Sequence, residues 1–137
     1  TIGGEFAATW NPCTPFTLTG SYTWLPTAAD LTSDTALLRR PKNCGRLTAN
    51  YQFLKRFTAT ATANFVGSRP DRNFSTFPAT DVTNAGYSKI DLGLSCRLHK
   101  YLAAYGRIEN ILDDHYDEVY GFPALGRTFW AGATASF

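Results

Sequence analysis

The residues of this chain that could do covalent or metal chemistry are few, and their spacing argues against most of it. Cys13, Cys44 and Cys96 are far apart, with no CxxC and no Cys/His pair at metal-ligand spacing. Two of them could pair in an oxidising compartment, but we read all three as small buried or lipid-facing side chains. His99 and His115 fall in links at opposite ends of the pattern described below, so neither can serve the other's proton. No serine or cysteine has a base near it in the pattern, so the chain reads as no enzyme. Asp113, Asp114, Asp117 and Glu118 crowd one link without the spacing of a calcium loop; they read as solvated surface, with no metal and no cofactor expected. Arg39 and Arg40 beside Lys42 could meet an anionic ligand or an anionic surface, although a solvated basic loop is the simpler account. The remaining candidates bind rather than react: Phe74, Tyr116, Tyr120 and Phe122 are aromatics in long links, where loops on a rigid scaffold carry recognition.

The elements that must hold these links are strands. Alternation of period two puts one face apolar and the other polar. It runs through Phe16, Leu18, Gly20, Tyr22 and Trp24, through Leu47, Ala49, Tyr51 and Phe53, and through Phe57, Ala59, Ala61, Ala63 and Phe65. It continues in Ile90, Leu92, Leu94 and Cys96, then in Leu102, Ala104 and Ile108, and finally in Phe129, Ala131, Ala133, Ala135 and Phe137. Residues 2–11 alternate more loosely around Phe6, Ala8 and Trp10. This predicts seven strands and no helix, in keeping with a chain rich in threonine and 15% aromatic. Short connections (11–15, 54–56, 98–100) alternate with long ones (28–43, 68–86, 113–126) that hold most of the Pro, Asp and Asn. The expected fold is therefore all-β, an antiparallel up-and-down meander with two unlike ends.

Composition narrows the class. No run of eighteen apolar residues exists, which excludes a helical membrane protein, and a net charge of +2 with scattered bases gives no nucleic-acid stripe. These residues show no basic stretch followed by an apolar run of the kind a signal peptide has, and a chain that contains no Met and opens on Thr1 reads as the start of a processed or truncated polypeptide. Two readings of the meander compete. A self-contained soluble β-domain binding a partner through its long loops needs bulk in the middle of each apolar face. A transmembrane barrel wall needs strands of about ten residues with aromatics toward both ends. Phe57 and Phe65 bracket three alanines, as do Phe129 and Phe137, which favours the membrane wall. On that reading Ala61 faces lipid and Thr62 the lumen, so Ala61→Arg should impair assembly and Thr62→Arg should be tolerated. Arg107, Arg127, Glu109, Asp91 and Lys89 are expected to form a lumenal charge network. Seven strands are odd, whereas single-chain bacterial barrels are even, so the chain is expected to be one arc of a larger barrel.

The last third is familiar in detail. Residues 108–116, Ile-Glu-Asn-Ile-Leu-Asp-Asp-His-Tyr, then Tyr120, Gly121, Phe122 and Pro123, then Gly126, Arg127, Thr128 and Phe129, resemble the C-terminal end of TonB-dependent outer-membrane receptors. Residues 34–42 resemble that family's long-loop segment leading into a strand, and within the family the look is nearest to the cobalamin (vitamin B12) receptors. The matching motif residues are Asn110, Asp113, Tyr116, Gly126 and Arg127. For Asn110, Asp113 and Tyr116 turn chemistry, with the tyrosine hydrogen-bonding across the strand top, explains the match better than ligand contact. Gly132, Ala135 and the terminal Phe137 resemble the signal that barrels present to the barrel assembly machinery. The resemblance implies the C-terminal seven strands, spanning 1–137, of a twenty-two-stranded barrel, whose N-terminal plug and TonB box lie outside this chain. It further implies a Gram-negative outer-membrane location and uptake of cobalamin or a ferric siderophore. The expected partners are outer-membrane lipid and lipopolysaccharide, the receptor's own plug and remaining strands, the TonB complex and the assembly machinery, with no nucleic acid.

Overall fold

The period-two segments become strands that pair in sequence. In the computed structural model, which describes residues 1–30 and 35–137, thirteen strands run in chain order: β1 (Ile2–Cys13), β2 (Phe16–Thr27), β3 (Ala29–Asp30), β4 (Thr35–Ala36), β5 (Asn43–Phe53), β6 (Phe57–Val66), β7 (Arg69–Asn73), β8 (Thr80–Asn84), β9 (Tyr87–His99), β10 (Leu102–Glu109), β11 (Asp117–Val119), β12 (Phe122–Pro123) and β13 (Thr128–Ala135). Seven form one antiparallel sheet in the order β1-β2-β5-β6-β9-β10-β13. The six others are three small hairpins, and they correct the expectation that 28–43, 68–86 and 113–126 are plain loops. Their Pro, Asp and Asn content hid short pairings such as Arg69↔Asn84 through Asn73↔Thr80. The first turn is also shorter than expected. Strand β1 runs on through Pro12 to Cys13, with a register shift between Trp10 and Cys13 where proline cannot donate to the ladder.

Register carries the two faces across the whole wall. Leu47 lies between Gly20 and Ala63, Ala49 between Leu18 and Ala61, and Leu92 between Ala61 and Ile108. Every charged side chain of the seven wall strands (Glu5, Arg46, Lys89, Asp91, Arg97, Arg107, Glu109) falls on the opposite parity. Among the described residues no apolar side chain is buried, while Phe6, Trp10, Leu47, Phe65, Leu94 and Phe129 are all exposed. A soluble chain of this size buries well over half of its surface around an apolar core; the described residues form a single sheet whose apolar face is exposed. The sheet is open, with β1 and β13 each carrying an unpaired edge. In lipid such an edge costs several kcal/mol per unsatisfied group, so both edges require further strands.

Three details of the wall depart from expectation. Thr62 is inward, as expected, but only 7% exposed, lying at hydroxyl distance from Thr48 and opposite Asp91. An arginine there would be crowded, so the tolerated inward position is the exposed Thr19 instead. Among the cysteines, Cys96 shares the outward parity of Phe57 and Ala104. Cys44 is inward and half-buried, and Cys13 is exposed, so buried or lipid-facing thiols do not describe all three. The β5–β6 turn places Leu54 (φ 50°) and Lys55 (φ 56°) in the left-handed region. In this three-residue turn, closed by the Phe53↔Phe57 pair, the left-handed positions cost these two residues about 1–2 kcal/mol each.

Candidate functional site

The wall positions one cluster, built from the long links at a single end. Its centre is a residue the sequence did not single out. The Asp71 side chain, on β7, is completely buried. Its Oδ1 accepts from Arg39 Nε at 3.0 Å and from the Arg72 amide at 2.8 Å, and its Oδ2 accepts from the Tyr120 amide at 2.8 Å. The Arg39 amide also donates to the Pro70 carbonyl at 2.7 Å. One carboxylate thus ties together all three long links. Burial by itself raises its pKa, but the two backbone donors and the Arg39 guanidinium outweigh that and hold it below the ordinary aspartate value. Arg39, expected to be a solvated loop base, is therefore committed to Asp71. Arg40 and Lys42 remain exposed.

Beside it, Arg69 is 5% exposed. Its guanidinium donates to the carbonyls of Asp117 and Glu118, both at 2.7 Å, and lies 5.6 Å from the centre of the Tyr87 ring. Asn84 Nδ2 donates to the same Asp117 carbonyl at 3.0 Å. Two elements of the cluster, the β7–β8 and β11–β12 hairpins, are thus joined through backbone carbonyls that the sequence pattern cannot reveal. The only hint was Arg69-x-Asp71-x-Asn73, an alternation of polar groups inside what read as a loop.

The motif residues sit at the root of the cluster. Asn110 is 1% exposed with φ 52°. Its amide donates to Asp91, its Nδ2 to the Asp114 carbonyl at 2.9 Å, and its Oδ1 accepts from the Asp114 amide. Asn110 thus does the turn chemistry expected of it, while Asp113, at φ 56°, accepts from the Arg127 amide at 2.7 Å and ties its turn to a segment 14 residues on. Among the described residues Tyr116 makes no hydrogen bond across the strand top. It stacks on Tyr87 with centroids 3.8 Å apart, and burial, with acidic groups nearby, pushes its phenol pKa up. Arg127 donates through Nε to the Ile111 carbonyl and so stands outside the lumenal network it was expected to join. That network consists of Lys89 at 3.5 Å from Asp91 and 3.8 Å from Glu109, with Arg107 paired to Glu109. Gly126 leaves room for the Asp113 carboxylate, since a Cβ there would lie 2.8 Å from Asp113 Oδ1. Gly126→Ala is expected to displace that carboxylate and cost about 1–3 kcal/mol, read as faster hydrogen exchange at the Arg127 amide.

Two of the four carboxylates of the acidic link are used internally: Asp113 as above, and Asp117 accepting from the Gly121 amide at 2.9 Å, where φ is +79°. No group of three or more metal-ligating side chains occurs among the described residues. Of the aromatic candidates, Phe74 is 67% and Phe122 72% exposed, and Tyr120 is 40% exposed above the Asp71 tie. Tyr116 is withdrawn into its stack. Phe77, fully exposed near the β7–β8 tip, was not singled out; nothing in a Phe-Pro pair within a link marks it as a surface aromatic. The chemistry available is apolar and hydrogen-bonding contact by loops held in one arrangement. At the far end of the wall Gly132 lies under Tyr105 on the inward face, Ala135 pairs with Leu102, and Phe137 is fully exposed beyond the strand.

Solved structures share this fold. A siderophore receptor from Acinetobacter baumannii superposes with a TM-score of 0.84 at 14% identity, over 98% of this chain and 22% of that one. A ferric enterobactin receptor from Pseudomonas aeruginosa gives 0.81 at 18% identity, over 98% and 22%. A ferric-catecholate import receptor from E. coli K12 gives 0.76 at 22% identity, over 98% and 20%. The chain spans about a fifth of the length of these receptors. At these identities they establish the fold: an arc of a larger antiparallel barrel. The family model of the TonB dependent receptor-like β-barrel matches residues 1–111, and with an apolar, charge-free outer face running across seven strands in one register, this chain belongs to that family.

Proposed function

We propose that these residues are the C-terminal arc of an outer-membrane receptor that captures a scarce nutrient at its long links and imports it with energy delivered through TonB. The observation that carries this is the wall itself, whose apolar parity holds no charge and leaves its large side chains exposed. In this reading the long-link end faces outside and the short turns face the periplasm. The barrel's remaining strands and its plug cover the two open edges and the inward face. The location is the outer membrane of a Gram-negative bacterium, in contact with lipid and lipopolysaccharide.

For the cargo, the structural neighbours are receptors named for ferric siderophores, which supports a ferric chelate. The look of residues 108–116 and 34–42 supports cobalamin as the second reading. Phe74, Tyr120 and Phe122 supply the ligand contacts from this arc. Tyr116 acts with Asn110, Asp113, Gly126 and Arg127 to set the loop root. Gly132, Ala135 and Phe137 serve recognition by the assembly machinery.

Uptake of radiolabelled ferric enterobactin and of radiolabelled cobalamin into cells carrying the full receptor, with and without TonB, tests the reading. TonB-dependent uptake of one of them is expected, and import of neither, or import independent of TonB, would overturn it. Phe74→Ala with Phe122→Ala is expected to weaken binding of the imported ligand by about tenfold or more, since each exposed aromatic contact contributes about 0.5–1.5 kcal/mol.

A further inference from the structure

The two ends of the wall differ in charge as much as in loop length. None of the eleven acidic residues of the chain lies in the short turns or the strand ends that feed them (10–18, 51–59, 95–104), nor in 133–137. The same segments hold Lys55, Arg56, Arg97 and Lys100, together with His99, all exposed. The β5–β6 and β9–β10 turns that carry these bases are neighbours, joined by the Arg97 amide donating to the Arg56 carbonyl at 2.8 Å.

A second observation fixes the depth of this rim. On the outward face, immediately before the Lys55–Arg56 turn, Phe16, Tyr51, Phe53 and Phe57 form a continuous aromatic chain with successive centroids 6.5, 5.8 and 5.3 Å apart. Outward aromatics of a barrel wall sit at the boundary between hydrocarbon and headgroups. The cations just beyond them therefore sit at phosphate depth. Lys100 Nζ lies 4.6 Å from the centre of the Tyr101 ring, holding that charge at the turn. At the tip, Leu54 and Lys55 occupy left-handed backbone positions, so a cation stands where glycine would be the easier choice.

We infer that the short-turn end of this arc is a docking surface for anionic phospholipid headgroups of the periplasmic leaflet, held by Lys55, Arg56 and Lys100. The surface offers three cations with no acidic neighbour to a phosphate layer carrying net negative charge, with the aromatic chain anchoring the acyl side. Arg97 lies inside β9 on the inward face, opposite Ala103, and takes no part in this surface, whereas Lys55, Arg56 and Lys100 stand in the turns beyond the strand ends. This inference rests on the membrane-wall reading proposed above.

The test uses the full receptor, purified in mild detergent, stripped of lipid and titrated separately with phosphatidylglycerol, phosphatidylethanolamine and lipopolysaccharide, with bound lipid counted by native mass spectrometry. Phosphatidylglycerol is expected to bind preferentially, and each of Lys55→Gln, Arg56→Gln and Lys100→Gln to weaken it by about fivefold, the usual contribution of one base at an anionic surface. The triple variant should lose about a hundredfold, while Arg97→Gln should change little. Unaltered phosphatidylglycerol binding in the triple variant would overturn the proposal, as would a preference for lipopolysaccharide. Arg97→Gln matching the triple variant would also overturn it, pointing instead to an acidic protein segment inside the barrel. If the triple variant does not assemble, the three single variants decide. Failure of the membrane reading is distinguishable, because the receptor would then stay soluble without detergent.

Discussion

Ala61→Arg is expected to prevent assembly of the barrel, while Thr19→Arg, one residue away in depth on the other face, leaves it intact. Ala61 stands mid-strand on β6 between Ala49 and Leu92, within a face that carries no charge across seven strands. An arginine there must shed its hydration in hydrocarbon or drag water in, at a cost of about 2–4 kcal/mol near the midplane. Thr19 pairs with Thr9 and Thr48 on the inward face and is exposed, so an arginine there joins an aqueous lumen already holding Arg46 and Arg107. The readout is heat-modifiable electrophoretic migration of the full receptor in outer-membrane fractions. Folded protein for both variants, or for neither, would mean that the two faces are assigned wrongly.

The second large effect is expected at Asp71. Asp71→Ala removes the acceptor for Arg39 Nε, the Arg72 amide and the Tyr120 amide together. Arg39 is half-exposed and can turn to water, so the cost falls on the two amides, at about 1–3 kcal/mol for each buried donor left unsatisfied. The wall should assemble normally, because no wall ladder uses this carboxylate. The three links, however, should open locally. Hydrogen exchange at Tyr120 and Arg72 should accelerate by about thirtyfold or more, the equivalent of about 2 kcal/mol. Trypsin should cut after Arg72 and Arg39 in intact cells. Unaltered exchange at Tyr120 would show that the links are held without the carboxylate. The pH dependence follows from the depressed pKa. A carboxylate whose folded pKa lies below its unfolded value stabilises the folded form fully above the unfolded pKa, and loses that contribution as pH falls through the folded one. The tie should therefore hold unchanged from neutral pH down to the ordinary aspartate range and fail only in stronger acid.

The candidate site was less legible than the wall, and particular residues show why. Asn110 could be read as a turn former because its side chain acts within a few residues of its own backbone, on Asp114, whereas the partner of the Asp113 carboxylate is the Arg127 amide, 14 residues on. Tyr116 could not, since what it meets is Tyr87, on another element. Arg127 was grouped with the lumenal charges by type alone, and its backbone carbonyl partner, Ile111, is invisible to any pattern of side chains. Phe74 and Phe122 were legible as exposed aromatics. Phe77 was not, and neither were the hairpins that carry these residues, because a strand of five residues in a Pro- and Asp-rich link has too few alternations to stand out.

By itself the sequence determined the seven wall strands, their order, their two faces and the unlike ends. All of these follow from parity, which is local: a side chain's face is decided by its position along its own strand, and sequential hairpins carry that choice from strand to strand. Only the tertiary structure decided that Asp71 meets Arg39 across 32 residues and Tyr120 across 49, and that Arg69 closes on the carbonyls of Asp117 and Glu118. Those contacts form because the wall brings the bases of three links to one rim, where a buried carboxylate and a buried guanidinium must each find partners, and the groups able to satisfy them lie on neighbouring links rather than nearby in the chain.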